Sequence, residues 1–126
     1  MTLRSQIGIF IILLACVIAL LHNLAFHYFF YWAYWWFDLV IHALAGIFVG
    51  ATVVWFVRFE VPIGIRPRVP VFVLAITLAL VVGILWEAFE YFIGARPPRG
   101  YLADTLLDIA MALIGAGIAY IALKKI

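Results

Sequence analysis

The stretch FDLVIHALAG, residues 37 to 46, places Asp38 and His42 one helical turn apart inside a run that is otherwise apolar. Two further apolar segments have the same character, GILWEAFEYFIG at residues 83 to 94 and ADTLLDIAMALIG at residues 103 to 115. Each segment carries two ionisable residues that lie three or four positions apart, so each pair shares one helix face. The six residues are Asp38, His42, Glu87, Glu90, Asp104 and Asp108.

The composition determines the class of protein around these segments. Of the 126 residues, 70% are hydrophobic and 11% are charged, and the mean hydropathy is +1.26, values that exclude a soluble domain of this size. About 20 apolar residues suffice for a helix to cross a hydrocarbon core of ~30 Å. Four continuous runs of this kind, without the alternation of a barrel strand, predict an all-α, integral membrane four-helix bundle that forms a single transmembrane domain over residues 1–126. The predicted helices are residues 5–22, 35–57, 69–94 and 103–123.

The distribution of Lys and Arg predicts the orientation of this bundle in the membrane. With four spans, both termini lie on one side, which carries six basic residues, whereas the other side carries two. The positive-inside rule therefore predicts a multi-pass protein of the inner or plasma membrane with both termini in the cytoplasm. The basic residues lie at membrane boundaries, so nucleic-acid binding is not expected. The two groups are Arg4, Arg58, Arg66, Arg68, Lys124 and Lys125 on one side, and Arg96 and Arg99 on the other.

The first loop contains eight aromatic residues between Tyr28 and Trp36 and no Lys or Arg. Aromatic rings prefer the level of the lipid headgroups, so this loop is expected in the outer interface. His22 and His27 lie in the same region and are interpreted as residues of this aromatic belt.

The depth of the six ionisable residues follows from the helical rise of ~1.5 Å per residue. All six fall in the outer third of the bilayer, in two layers. Small residues continue each of the three faces toward the cytoplasm, and such stripes let membrane helices approach closely. We therefore expect the three faces to meet and to bring the six side chains into one cavity that opens outward. The deeper layer is His42, Glu87 and Asp108; the shallower layer is Asp38, Glu90 and Asp104.

Several of these residues also have a purely structural interpretation. The sequence TLLD fits a capping box, with Thr105 as the N-cap and Asp108 at the third helical position, and Asp104 suits the positive end of a helix dipole. Asp38 near the interface could be solvated or could pair with an arginine. Such interpretations fit His42 and Glu87 least well, because an unpaired charge at their depth is costly.

The side chain of Glu90 could extend toward Arg96 or Arg99 instead of joining the cluster. These two arginines could alternatively neutralise the cluster or hold a phosphate group beside it. We therefore treat Arg96 and Arg99 as candidate substrate-binding residues.

Five carboxylates and one imidazole in one place indicate a cation site. Like charges so close together cannot all stay ionised unless cations lie among them, and otherwise several carboxylates are protonated. This donor set suits Zn, Mn, Fe, Mg or Ca, and helical bundles build such sites from residues at these spacings. A metal-activated water would be the available nucleophile, because no serine, cysteine or lysine is placed to attack.

The polar motifs occur in the order Asp-x3-His (Asp38, His42), an acidic helix end, an arginine, and Asp-x3-Asp (Asp104, Asp108) before ALIGAGIAY. This order resembles that of small bacterial membrane proteins of the VanZ-like type. It is still more similar to the uncharacterised inner-membrane proteins related to YjdF, over about residues 35 to 120. VanZ-like members tend to have glutamine near the position of Glu90 and asparagine near that of Asp108, so this chain is more acidic. The resemblance implies a role in the cell envelope and a shared polar site, but no particular reaction.

The leading hypothesis is a metal-dependent enzyme, or an apo-scaffold of one, that acts on a lipid-linked or headgroup substrate in the membrane. The inner layer would then supply the ligands of one divalent ion. The shallower layer would complete the ligand set of a second ion or supply a general base. The alternatives are a cation or proton transporter, and a non-catalytic envelope subunit in which the polar cluster only fixes the packing. The metal, the substrate, any catalytic residue and the oligomeric state are left open at this level.

Overall fold

The computed structural model describes residues 1–62, 65, 67–93 and 100–125. Within these residues the secondary structure is entirely helical, and four of the helices are long and apolar enough to cross a membrane. The predicted all-α membrane bundle with four spans is therefore confirmed. The helices are α1 (Leu3–His27), α2 (Phe30–Ala33), α3 (Phe37–Phe59), α4 (Val71–Ile93) and α5 (Tyr101–Leu123).

Helix α1 is longer than the predicted run of residues 5–22. It begins after Thr2, whose hydroxyl accepts a hydrogen bond from the backbone N–H of Ser5. At the other end, the side-chain amide of Asn23 donates to the carbonyl oxygen of Ala19 at 2.7 Å. This polar residue is thus satisfied by its own helix, which continues through it to His27.

The aromatic loop after α1 contains the short helix α2. The chain reverses at Phe29, which adopts the left-handed backbone conformation with φ of 60°. The rings of this loop pack on one another, for example Phe30 against Phe37 with ring centroids 5.5 Å apart. The expected interfacial loop is therefore an ordered aromatic layer at one end of the bundle.

Helix α3 is central, since it packs against α1, α4 and α5, and its contact with α5 is the most extensive. Glycines allow this close approach. A Cβ atom on Gly50 would lie 2.8 Å from the Cα of Ala116, and one on Gly46 would collide with the carbonyl oxygen of Ala112. On the opposite helix, a Cβ on Gly115 would collide with the carbonyl oxygen of Ala43.

Polar contacts hold both chain termini at the same end of the bundle. The guanidinium of Arg4 lies 2.7 Å from a carboxylate oxygen of Glu60 at the end of α3. Arg58 donates a hydrogen bond of 3.1 Å to the carbonyl oxygen of Lys124, just after α5. The aromatic layer and the acidic residues of α3, α4 and α5 lie at the other end.

Candidate metal centre

The buried polar side chains of the described residues form one group near the end of the bundle that is remote from the termini. His42 is 4% exposed, Glu87 6% and Asp108 1%. Each lies on a different helix, α3, α4 and α5 respectively, and each is close to the end of its helix. The structure therefore places the three residues of the deeper layer in the bundle core.

The polar atoms of these three residues face one another. One ligand atom from each of His42, Glu87 and Asp108 lies within 4.8 Å of the other two. The Nε2 atom of His42 is 3.7 Å from Oε1 of Glu87. This separation is too long for a strong hydrogen bond, so the side chains converge without bonding directly.

Each of the three residues has a side-chain atom that lacks any hydrogen-bond partner. These atoms are His42 Nε2, Glu87 Oε1 and Asp108 Oδ1, and all three are inaccessible to solvent. A buried polar atom without a partner costs about 1–3 kcal/mol, so native structures contain few of them. Partnerless atoms on three side chains whose ligand atoms lie within 4.8 Å of one another fit a bound cation well, because a cation would satisfy them together.

The shallower layer joins the same group. Ligand atoms of Asp38, His42 and Glu90 lie within 4.8 Å of one another, and the same holds for Asp38, Asp104 and Asp108. The Oδ1 atom of Asp38 is 3.6 Å from Nε2 of His42. The structure thus brings all six residues singled out from the sequence into one cluster, which we call the acidic cluster.

Thr105 supports the cluster in a way that the sequence did not indicate. Its hydroxyl donates a hydrogen bond of 2.7 Å to Oε2 of Glu87. The alternative interpretation of TLLD as a capping box is wrong, because α5 begins earlier, with Gly100 as the N-cap, and Thr105 lies inside the helix. The signal that could have indicated this role is spacing, since Thr105 lies three residues before Asp108 and therefore on the same face of α5.

Trp86 is a second supporting residue that was not predicted from the sequence. Its indole N–H donates a hydrogen bond of 2.8 Å to Oε1 of Glu90, one helical turn away. This contact directs the Glu90 carboxylate along α4. The alternative partners of Glu90, Arg96 and Arg99, lie outside the described residues, so their predicted role in substrate binding stays a prediction.

His22 lies near the acidic cluster, and its contacts are more specific than those expected of a residue in the aromatic belt. Its Nδ1 atom and the hydroxyl of Tyr31 share a hydrogen bond of 2.7 Å, and its ring centroid is 5.4 Å from that of Trp86. Burial, followed by the nearby charges of Asp38 and Glu90, raises the pKa of Tyr31. The phenol therefore stays protonated, and it links α1 to the aromatic layer.

Toward the termini the three helix faces become apolar. In the described part of the chain, buried residues on this side of the cluster are small or aliphatic, with no buried polar residue among them. The cluster therefore has a closed apolar floor and lies nearer to one end of the bundle. The buried small residues of these faces are Gly46, Gly50, Ala51, Ala75, Ala79, Gly83, Ala112, Gly115, Ala116 and Ala119.

Comparison with known proteins gives a family but no activity. No curated protein and no solved structure matches this chain. The likeness to VanZ-like and YjdF-related proteins therefore rests on the sequence motifs alone. The family described as "Predicted membrane protein (DUF2238)" matches residues 2–126, which is nearly the whole length. The chain therefore belongs to the DUF2238 family of membrane proteins.

Proposed function

We propose that this protein binds a divalent metal ion through His42, Glu87 and Asp108 and acts as a metal-dependent membrane enzyme on a lipid substrate. The observation that carries the proposal is the convergence of three buried side chains, one from each of three helices, each with a side-chain polar atom that lacks a hydrogen-bond partner. Ordinary packing gives no reason to bury these atoms together without partners.

The donor set and the spacing both suit a metal ion. Imidazole and carboxylate ligands bind Zn, Mn or Fe at ~2.0–2.2 Å, which puts neighbouring donor atoms ~3–4 Å apart. The Nε2 atom of His42 lies 3.6 Å from Asp38 Oδ1 and 3.7 Å from Glu87 Oε1. Thr105 fixes the carboxylate of Glu87 by its hydrogen bond, as an outer partner of a ligand does.

The shallow layer has a separate role in this proposal. Asp38 keeps a side-chain exposure of 20%, so it can exchange a proton with solvent or substrate as a general base. Asp104 and Glu90 can complete the ligand set of a second ion beside the first. Alternatively, they can keep a charged substrate headgroup away from the apolar floor of the cluster. A bound divalent ion would supply Lewis-acid polarisation and an activated water for hydrolysis.

A substrate can approach this site from the end of the bundle that carries the aromatic layer. We propose that Arg96 and Arg99 bind a phosphate group there, since guanidinium groups pair with phosphate in a bidentate manner. A lipid headgroup carries such a phosphate at this level of the membrane. A role in the cell envelope would follow from such a substrate.

The apolar floor favours an enzyme over a transporter. Transporters bind their substrate near the bilayer midplane, at interrupted helices. Here α4 and α5 are continuous helices, and the described buried residues between the cluster and the termini are small or aliphatic. An ion that entered the cluster would meet no polar side chain among the described buried residues on its way to the other end.

Elemental analysis of the purified protein tests the metal site. We expect about one or two divalent ions per chain, and their loss in Glu87→Gln, because the amide removes an anionic ligand. Glu60→Gln is the control, since Glu60 is a glutamate at the other end of the bundle. Metal-free wild-type protein after loading with Zn²⁺, Mn²⁺ and Fe²⁺ would refute the metal site.

Activity and flux assays then separate an enzyme from a transporter. Metal-loaded protein in liposomes of phosphatidylglycerol and phosphatidylethanolamine should release a lipid cleavage product, detected by mass spectrometry, and Glu87→Gln should not. Proton or cation flux that disappears in Glu87→Gln, without any lipid product, would overturn the assignment in favour of transport.

A further inference from the structure

A large apolar cavity lies beside the acidic cluster, between α1, α3 and α4. Its volume is about 510 Å³, within the range of ~300–1,000 Å³ that is usual for small-molecule sites. The walls are almost wholly apolar, and His42 of the acidic cluster forms part of one end. The cavity therefore joins the proposed metal site to a long hydrophobic space.

The cavity exists because α1 and α4 remain apart. In the described ranges the two helices have no close backbone approach, whereas both pack against α3. The rings of His22 and Trp86 bridge them at one end, with centroids 5.4 Å apart. Below this bridge, small side chains such as Ala15, Ala19 and Gly83 leave the space open.

The cavity opens sideways, toward the surroundings of the bundle. Ala19 on α1 and Val82 on α4 both line it and are both exposed. The flanking helices are candidate membrane spans, so this opening faces hydrocarbon. An occupant would thus enter from the bilayer.

The length and polarity of the cavity indicate what the occupant is. Along α1 the lining runs from Ala15 to Asn23, which is ~12 Å at 1.5 Å per residue. One leaflet of the hydrocarbon core is ~15 Å thick. The polar residues His22, Asn23 and His42 lie at one end, and the other end is apolar. This arrangement matches a single acyl chain with its ester end at the level of the cluster.

We infer that the cavity between α1, α3 and α4 binds one acyl chain of a glycerophospholipid and presents the headgroup end of that lipid to the acidic cluster. The inference rests on the proposed function and names its substrate class. The acyl chain lies along the small residues of α1 and α4. His42 lies at the junction between the acyl chain and the polar part of the lipid.

A second cavity provides a matched comparison within the same protein. It measures about 350 Å³, lies between α3 and α4, and is lined by residues such as Thr52, Phe56 and Leu78. None of its lining residues belongs to the acidic cluster. Lipid that adheres to any apolar groove would occupy this second cavity as readily, so substitutions in the two cavities distinguish specific from general binding.

Native mass spectrometry of detergent-purified protein, titrated with palmitoyl-oleoyl-phosphatidylglycerol, tests the inference. The wild type should retain about one lipid per chain. Retention should fall by about tenfold in Ala15→Phe and Ala19→Phe, because the rings fill the path of the acyl chain. Leu78→Phe in the second cavity should retain lipid like the wild type. Circular dichroism of every variant checks that the helices are intact.

Metal content measured on the same samples separates this inference from the proposed function. Loss of lipid with normal metal content in Ala19→Phe supports the cavity as the acyl-chain site. Lipid retention that persists in Glu87→Gln, after its metal is lost, supports the cavity as a lipid site that does not depend on the metal. Equal retention in the wild type, Ala19→Phe and Leu78→Phe, or no retention by metal-loaded wild type, would overturn the inference.

Discussion

The hydroxyl of Thr105 on α5 donates a hydrogen bond of 2.7 Å to Oε2 of Glu87 on α4. The other carboxylate oxygen of Glu87 has no partner and lies 3.7 Å from Nε2 of His42. One oxygen thus anchors the carboxylate while the other remains available to a ligand. This division of roles is typical of a metal-binding carboxylate with an outer partner.

The first prediction concerns this anchor. Thr105→Val should weaken divalent-metal affinity about tenfold, because outer partners of metal ligands contribute about 10–100-fold. Thr105→Ser keeps the hydroxyl and should bind metal like the wild type. Competition with a chelating dye in detergent measures both. Thr52→Val is the control, since Thr52 donates only to the carbonyl oxygen of Phe48 in its own helix. Equal affinity in Thr105→Val and the wild type would contradict the anchoring role.

The second prediction concerns the contact between α3 and α5. Gly115→Ala should lower the free energy of unfolding by about 1–3 kcal/mol or more, because the new Cβ collides with the carbonyl oxygen of Ala43. Gly117→Ala is the matched control on the same helix, where an added Cβ meets no atom within 4 Å. That substitution should be neutral or raise stability by about 0.5–1 kcal/mol. Thermal unfolding in detergent compares the two variants, and equal effects would show that the close approach is not required.

The third prediction concerns pH. A metal ligated by His42, Glu87 and Asp108 needs a neutral imidazole and ionised carboxylates, so protons compete with the ion. Metal affinity should therefore fall steadily as pH is lowered from about 8 to about 5, and return when pH is raised. Dye competition across this range gives the affinity. An affinity that is constant or rises toward low pH would argue against these ligands.

The fourth prediction concerns orientation. The charge distribution predicts cytoplasmic termini, and the contacts of Arg4 with Glu60 and of Arg58 with Lys124 place both termini at one end of the bundle. In a Cys16→Ala background, an impermeant maleimide added to intact cells should label Tyr28→Cys and not Leu3→Cys. Both positions are exposed in the isolated bundle. After the membrane is opened, both should react, which controls for thiol accessibility. Labelling of Leu3→Cys alone in intact cells would invert the topology.

The spans were predictable because hydrophobicity is a property of each segment by itself. A run of apolar residues such as the predicted span 69–94 must form a helix to satisfy its backbone in hydrocarbon, whatever its neighbours are. The ends were less predictable, because they depend on local bonds. The first helix was predicted over residues 5–22, yet α1 continues to His27, and the side-chain amide of Asn23 bonds to the carbonyl oxygen of Ala19 within it.

The candidate site could be located from the sequence for a similar reason. Helical rise gives depth, and a spacing of three or four residues gives a common face, so the residue order alone assigns His42, Glu87 and Asp108 to one level. Their small-residue stripes indicated which faces would meet. These inferences need only the regular geometry of a helix.

The amino-acid sequence alone therefore determines the membrane class and the four spans, since both follow from local hydropathy. The depth of the acidic residues in the bilayer stays a prediction from helical geometry. Tertiary packing was needed to decide which atoms face one another: that Thr105 anchors Glu87, that Trp86 holds Glu90, and that α1 and α4 stand apart around a cavity. These features depend on the rotation and separation of whole helices. Rotation and separation arise from packing contacts such as Gly46 on Ala112, which join residues far apart in the chain.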